Sequence, residues 1–191
     1  MTRLTVLVLS CLAFWLVHAA EVRADTVLAD RSEIAFTMKQ MGVAFDGRFR
    51  RWKGDIVFRP DALSQSKAEL DVDLASVDLA SADSEAEAKS PLWFNTARFP
   101  VAHFSSTSIK DLGGNRYAVA GQLSLKGIAR EYVIPVVVRV DASGNRVAEG
   151  SFPIKRLQHK VGEGEWADTG TVADDIVVRV RIVLAPPAGA K

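Results

Sequence analysis

Histidine and cysteine, the residue types most often used in acid–base and metal chemistry, are few in this chain and lie far apart. His103 and His159 are the two histidines beyond residue 24, and they lack the close spacing of zinc ligands. Asp71 and Asp73 alternate with apolar residues, as on the solvent face of a strand. The sequence contains no Gly-x-Ser-x-Gly motif and no glycine-rich phosphate loop that opens a helix. It therefore predicts a protein that is not an enzyme and holds no metal or cofactor of its own.

Apolar side chains instead recur at every second position through much of the chain, which is the spacing of strands with one buried face. This alternation predicts strands at about 34–38, 43–50, 54–59, 68–74, 101–108, 117–126, 130–140, 146–152 and 175–184. Two segments interrupt it. Residues 82–90 are rich in Ala, Glu and Lys and precede Pro91, which predicts a short helix. Residues 154–171 carry three glycines and predict a short helical turn followed by a long loop.

Turns rich in Gly and Asn connect these strands as hairpins, as at Gly113-Gly114-Asn115 and Ser143-Gly144-Asn145. About eight long strands joined in this way leave two unpaired edges unless the sheet closes on itself. We therefore predict an all-β fold, an antiparallel up-and-down eight-stranded barrel with one or two short helices. A β-sandwich is the alternative. A barrel of eight strands encloses room for packed side chains or for one small ligand.

The first residues have the order of a secretory signal: a positive start at Arg3, an apolar run over residues 4–17, and small residues as far as Ala24. The run is shorter than the about 20 residues that span a bilayer. We expect cleavage after Ala24, which gives a signal peptide at 1–24, one domain at 25–191 and a location in the periplasm. Cleavage after Ala19 or Ala20, a retained anchor and lipidation at Cys11 are the alternatives.

Removal of residues 1–24 would leave a neutral chain without cysteine. The full sequence has 24 Lys and Arg against 23 Asp and Glu, and the signal carries Arg3, Arg23 and Glu21. Its one cysteine, Cys11, lies there too. A neutral chain lacks the basic surface that nucleic acids require, so we expect no nucleic-acid partner. Without cysteine the domain depends on its core for stability.

Several stretches of the chain form a pattern that is specific in order and spacing: Ser32-Glu33-Ile34-Ala35-Phe36, Gly42, Gly47-Arg48-Phe49, Pro91-Leu92-Trp93-Phe94-Asn95, Arg98-Phe99-Pro100 and Gly121-Gln122-Leu123-Ser124-Leu125-Lys126-Gly127. Together they resemble the YceI-like family, whose members are periplasmic proteins with a lipocalin-like barrel that bind polyisoprenoids. The resemblance extends from about Asp30 to Leu184. Two positions depart from the family's pattern, because Gln40 and Glu87 stand where many members have histidine. Contacts that such histidines make to a ligand head group are therefore changed here.

The resemblance implies a non-catalytic carrier that binds an isoprenoid quinone or its precursor in an apolar tunnel. Gly47 and Gly121 lie on the predicted inner faces and would leave room there. The stretch 162–169 is similar to a subgroup associated with cytochrome b561-type membrane proteins, which implies such a partner; a homodimer is left open. The expected tunnel residues are Ile34, Phe36, Met38, Gln40, Val43, Phe45, Phe49, Trp93, Phe94, Phe99, Phe104, Val119, Leu123, Leu125, Ile134, Val136 and Trp166.

Two other functions remain open at this point. In the first, the barrel is an enzyme, an isomerase or dehydratase that acts on a lipid head group through His103, Gln40 and Glu87. In the second, it is a stress or surface protein whose interior is filled by its own side chains. Trp93, Phe94 and Phe99 fit either a lid over a tunnel or a plug, and Trp166 either caps the tunnel or anchors its loop.

Overall fold

Ten strands and one α-helix make up residues 24–186, the part of the chain that the computed structural model describes. Five short 3-10 helices lie at Ala29–Arg31, Leu63–Gln65, Leu74–Ser76, Arg156–His159 and Gly164–Ala167. The longer elements are β1 (Glu33–Gln40), β2 (Val43–Phe49), β3 (Trp52–Val57), β4 (Lys67–Asp73), β5 (Val77–Asp78), α1 (Ala82–Lys89), β6 (Val101–Asp111), β7 (Arg116–Leu125), β8 (Ile128–Val140), β9 (Arg146–Lys155) and β10 (Asp175–Leu184).

All the strands belong to one antiparallel sheet, in which β1 pairs with both β2 and β10. β2 and β3 run in the same direction and are separated by Arg50 and Arg51, so they form one bent strand; β4 and β5 form a second. Backbone hydrogen bonds from Arg50 N to Ser76 O (3.0 Å) and from Asp73 N to Arg51 O (3.1 Å) join the two bends. Counted with these bends, the ten strands make the eight of a closed up-and-down barrel, which confirms the predicted architecture.

The two ends of the barrel are closed by different parts of the chain. At the α1 end lie α1, the segment 90–100 and the loop 156–174. At the N-terminal end lie residues 24–28 and the loop 58–66, where Asp25 pairs with Ile56 of β3 and Val27 with Leu184 of β10. Leu28 N also donates to Val183 O (2.8 Å). The segment 24–28 thus fastens β3 to β10 across this end.

The predicted local signals correspond to structure at the expected places. Gly113, Gly114 and Asn115 have positive φ values of 78°, 62° and 61°, the conformation for which the hairpin turn was predicted. The predicted helix is α1, and the Ser81 hydroxyl caps it by accepting a hydrogen bond from Ser84 N (3.2 Å). Residues 154–155 still belong to β9, and the rest of the 154–171 segment contains two 3-10 helices, Arg156–His159 and Gly164–Ala167, where one short helical turn and a long loop were predicted.

The predicted signal peptide lies almost wholly outside the described residues, which begin at Ala24. Within residues 24–186, no helix is long and apolar enough to cross a bilayer. The core forms two clusters of buried residues, one around Phe36, Phe104 and Phe152, the other around Phe58, Tyr117 and Leu184. Leu70 packs against both clusters, so the apolar interior continues from one end of the barrel to the other.

Candidate functional site: an apolar cavity along the barrel

The interior of the barrel contains a cavity of about 230 Å³. Packed protein interiors have few voids larger than a water molecule, so this space is not a packing defect. Trp93 and Val161 line it at the α1 end, and Phe58 and Leu184 line it at the N-terminal end. Apart from three cationic side chains and one tyrosine, its wall is apolar. The observed cavity contradicts the hypothesis of a barrel filled by its own side chains.

The structure places twelve of the seventeen expected tunnel residues at the wall of this cavity. They come from β1, the end of β2, the segment after α1, and β6, β7 and β8. Side chains alternate between the two faces of a strand, and in these strands the apolar side chains face inward. The twelve are Ile34, Phe36, Met38, Phe49, Trp93, Phe94, Phe104, Val119, Leu123, Leu125, Ile134 and Val136.

Two expected tunnel residues lie at the exposed tip of the β1–β2 hairpin. Val43 is 69% exposed and Gln40 is also exposed, although both were predicted to face the tunnel. The cause is the turn at Met41 and Gly42, which carries the ends of both strands beyond the rim of the barrel. Alternation identified the face of these residues but not the point at which the barrel ends.

Three expected aromatic residues pack near the cavity without lining it. Phe45 lies opposite Met38 and packs against the core cluster. Phe99 covers the β7–β8 turn, where a Cβ on Gly127 would lie 2.8 Å from its ring. Trp166 packs on Trp93, with 5.7 Å between ring centroids. Trp93 and Phe94 are therefore wall residues, whereas Trp166 packs behind Trp93 and Phe99 packs on the β7–β8 turn.

The expectation that Gly47 and Gly121 leave room in the tunnel is wrong. A phenylalanine ring from the adjacent strand occupies the space above each glycine: Phe36 lies over Gly47 and Phe104 over Gly121. The glycines permit these rings to lie close to the sheet. They shape the cavity wall by admitting a ring, not by creating a void.

Sequence reasoning missed the polar groups that close the N-terminal end. Arg146 lines the cavity, and its Nη2 forms an ion pair with Oδ1 of Asp25 (2.9 Å). Its Nη1 donates to Phe58 O (2.9 Å), and its guanidinium lies 5.6 Å from the centroid of the Phe58 ring. The Asp25 side chain is only 7% exposed and also pairs with Arg59 (3.0 Å). No local pattern links residues so far apart in the sequence.

Arg156 is the central polar group of the α1 end. It lines the cavity, is 1% exposed, and uses all five of its N–H groups as donors to backbone carbonyls. Burial lowers the pKa of Arg156, whereas the charge of Asp174 raises it. The glycine-rich composition of the loop was the available signal, because a Cβ on Gly162 would collide with this guanidinium. The acceptors are the carbonyls of Ala173, Val161, Gly162, Trp166 and Val172.

The two indoles at the α1 end have different hydrogen-bond environments. Trp166 Nε1 donates to Oε1 of Glu87 (3.0 Å), which fixes the loop against α1. Trp93 Nε1 is buried and meets no hydrogen-bond acceptor among residues 24–186. A buried N–H group without an acceptor costs about 1–3 kcal/mol of stability, so this position needs an explanation beyond packing.

A buried histidine and a tyrosine form a hydrogen-bonded pair at the α1 end. His159 is 0% exposed; its Nδ1 lies 3.1 Å from Ile128 O and its Nε2 lies 2.8 Å from Tyr132 Oη. A carbonyl only accepts, so Nδ1 carries the proton and Nε2 accepts from the tyrosine. Burial lowers the pKa of His159, although the hydrogen bond to Ile128 raises it. Burial likewise raises the pKa of Tyr132.

The residues suggested for an enzyme do not meet at the cavity. His103 lies on the outer face of β6, where its Nδ1 is 2.6 Å from Oδ1 of Asp71 and its side chain is 48% exposed. Gln40 is exposed at the hairpin, and Glu87 holds Trp166. None of the three lines the cavity. In the described part of the chain, no group of three or more His, Cys, Asp or Glu residues is arranged to bind a metal ion.

The comparisons with known proteins agree with this architecture. A UPF0312 protein of Shewanella denitrificans is 34% identical over 138 residues, which cover 72% of this chain and 68% of the relative. BcnA of Burkholderia cenocepacia, a solved structure, is 34% identical with a TM-score of 0.80 and covers 83% of this chain and 99% of its own.

A second solved structure shares the fold at lower identity. It is a polyisoprenoid-binding domain from Saccharophagus degradans, 19% identical with a TM-score of 0.65, covering 86% of this chain and 99% of its own. The model of the YceI-like domain matches residues 26–184, which is nearly all of the barrel. The chain belongs to the YceI-like family.

Proposed function

We propose that this protein binds one long-chain polyisoprenoid lipid in its barrel, in the bacterial periplasm, and releases it chemically unchanged. The observation that carries the proposal is the apolar cavity of about 230 Å³, which is lined from one end of the barrel to the other. The cavity meets the requirement of a lipid carrier, which is an interior nearly as dry as hydrocarbon.

The energetics favour such a site over free diffusion of the lipid. Each methylene that leaves water contributes about 0.8 kcal/mol, so a chain of several isoprene units faces a barrier of tens of kcal/mol in water. Transfer from a bilayer into an equally apolar cavity avoids most of this cost. The phenylalanine rings over Gly47 and Gly121 support the proposal, because they present smooth apolar walls to a chain.

One similar structure supports the chemical class that we propose for the ligand. The Saccharophagus degradans domain, which has the same fold, is described as polyisoprenoid-binding. An isoprenoid quinone or its precursor is the ligand that we propose for this chain. The absence of His103, Gln40 and Glu87 from the cavity wall supports binding without catalysis.

Mass spectrometry of the protein produced with its N-terminal segment in a bacterial host tests the proposal. We expect the mass under native conditions to exceed the denatured mass by that of one organic-extractable lipid. Protein that carries no lipid, and that takes up neither a quinone nor a polyprenol when these are added, would contradict the function.

The location is tested on the same material. We expect the protein in the periplasmic fraction, with the mass of a chain that begins at Asp25. Protein found only in the cytoplasmic fraction at its full mass would contradict the proposed location without affecting the binding result.

A further inference from the structure

Trp93 carries a hydrogen-bond donor that nothing in the described chain uses. It lines the cavity at the α1 end, and its buried Nε1 meets no acceptor within residues 24–186. Trp166, its neighbour behind the wall, has its own N–H satisfied by Glu87. Buried indole N–H groups normally find a partner. The one indole that borders the cavity is therefore the one that has a donor left for a bound molecule.

The cations around Trp93 have no donors left for a ligand. Arg156, whose guanidinium lies 5.7 Å from the centroid of the Trp93 ring, gives its five N–H groups to backbone carbonyls. Lys126 is 8% exposed and bonds to the carbonyls of Leu92 and Lys160 and to the carboxylate of Glu163. Its three ammonium hydrogens are thereby used as well.

This arrangement discriminates between classes of head group. A diphosphate brought to this end would lose its hydration and gain one neutral N–H in return, which does not compensate a buried anion. A carbonyl or hydroxyl oxygen needs only one donor.

We infer, on the basis of the proposed function, that Trp93 Nε1 donates a hydrogen bond to an uncharged oxygen of the lipid head group. At the N-terminal end Arg146 also has a buried Nε that meets no acceptor within residues 24–186, but its charge is paired with the carboxylate of Asp25 (2.9 Å). The head group then lies at the α1 end, and the isoprenoid tail extends towards Phe58 and Leu184 at the N-terminal end. Trp93 selects lipids with a carbonyl or hydroxyl head over polyprenyl diphosphates.

The test compares the mature protein, from which residues 1–24 have been removed, with its Trp93→Phe variant. The variant keeps an aromatic ring and removes the donor. The probes are a ubiquinone, squalene, which has no head group, and a polyprenyl diphosphate. Loss of one neutral hydrogen bond is expected to weaken ubiquinone binding about three- to tenfold and to leave squalene binding unchanged. Trp52→Phe is the matched control, because Trp52 packs against the second core cluster and does not line the cavity.

Infrared spectroscopy of bound ubiquinone separates a hydrogen bond from a packing effect. We expect one carbonyl stretch at lowered frequency in the unaltered protein and its return to the free value in Trp93→Phe. Equal weakening of ubiquinone and squalene, an unchanged carbonyl band, or tight binding of the diphosphate would overturn the inference. If the unaltered protein binds none of the three lipids, the proposed function fails, and the head-group assignment fails with it.

Discussion

The ring of Phe104 on β6 lies across Gly121 on β7. A Cβ placed on Gly121 would stand 2.5 Å from Cζ of Phe104 and 2.6 Å from the backbone oxygen of Ser105. The carbonyl belongs to the β6–β7 ladder, so it cannot move aside as a flexible side chain would. The position therefore holds a phenylalanine ring against the wall of the cavity, and any Cβ there forces the ring or the strand to shift.

Gly121→Ala is expected to lower the free energy of unfolding by about 1–3 kcal/mol, because the added methyl group forces the ring and the ladder apart. Urea unfolding of the two proteins measures the difference. Gly54→Ala is the control, since its Cβ would first meet the flexible end of Leu70 at 3.1 Å; we expect a change below about 1 kcal/mol. Equal effects at the two positions would show that the ring contact is not the cause.

Ala148→Phe is expected to reduce lipid binding at least about tenfold while the protein remains folded. Ala148 lies on β9 and lines the cavity, so a phenyl ring there occupies space that the ligand needs. Filling an existing cavity adds apolar contacts, so the loss of stability should be small. Retained lipid, measured by native mass spectrometry, and thermal unfolding give the two readouts.

Ala118→Phe is the matched control for this prediction. Ala118 lies between Tyr117 and Val119 on β7, and both of these line the cavity, so Ala118 faces outward. The outward ring should leave lipid binding unchanged. If both variants retain the lipid equally, the ligand lies outside the cavity.

Arg156→Met is expected to cost about 3 kcal/mol or more of stability, because five backbone carbonyls lose their donor together. Amide hydrogen exchange should rise most in residues 161–172, where four of the five acceptors lie. Arg156→Lys should recover only part of the loss, since lysine has three donors on one atom.

Arg139→Met controls for the general removal of an arginine. Its side chain is 67% exposed and pairs with Glu149 on the surface, so the expected cost is below about 1 kcal/mol. An Arg156→Met variant as stable as Arg139→Met would show that the loop does not depend on this guanidinium.

His159 is expected to make the protein less stable as the pH falls below about 6.5. Burial lowers its pKa in the folded state, so the unfolded chain takes up the proton first and the folded state loses stability. The stability that neutral His159 contributes is complete above its pKa in the unfolded chain. It is lost as the pH falls through its pKa in the folded state. The pKa of Asp141 is lowered to about 2 in the folded state. This carboxylate therefore stays ionised in the folded protein across the pH range in which His159 titrates.

Denaturant unfolding of the protein and of His159→Asn between pH 7 and pH 5 measures this effect. Asparagine retains a donor for Ile128 O but does not titrate, so the variant should show a flatter profile. The difference can reach at most about 1.4 kcal/mol per pH unit, the limit for uptake of one proton. Parallel profiles would exclude His159 as the source of the acid sensitivity.

The strands, the helix and the inward face of most strands could be predicted without the structure, because these features depend on spacing along the chain. Alternation placed Phe36, Leu123 and Ile134 correctly, since a one-residue change in phase would have exposed every one of them. The spacing predicts nine strand segments, already separated between residues 50 and 54, and the structure adds a tenth, β5, after the bend at residues 74–76. Ten segments make eight barrel strands because two of those strands are bent.

Where the barrel ends, and which polar groups close it, could be seen only in the folded chain. Val43 continues the apolar pattern but lies beyond the rim, and Asp25 meets Arg146 across most of the chain length. The same holds for Trp93, whose buried N–H depends on where the loop after β9 folds back onto α1. Periodicity reports which way a side chain points, whereas its partners depend on elements that are distant in sequence and brought together by closure of the sheet.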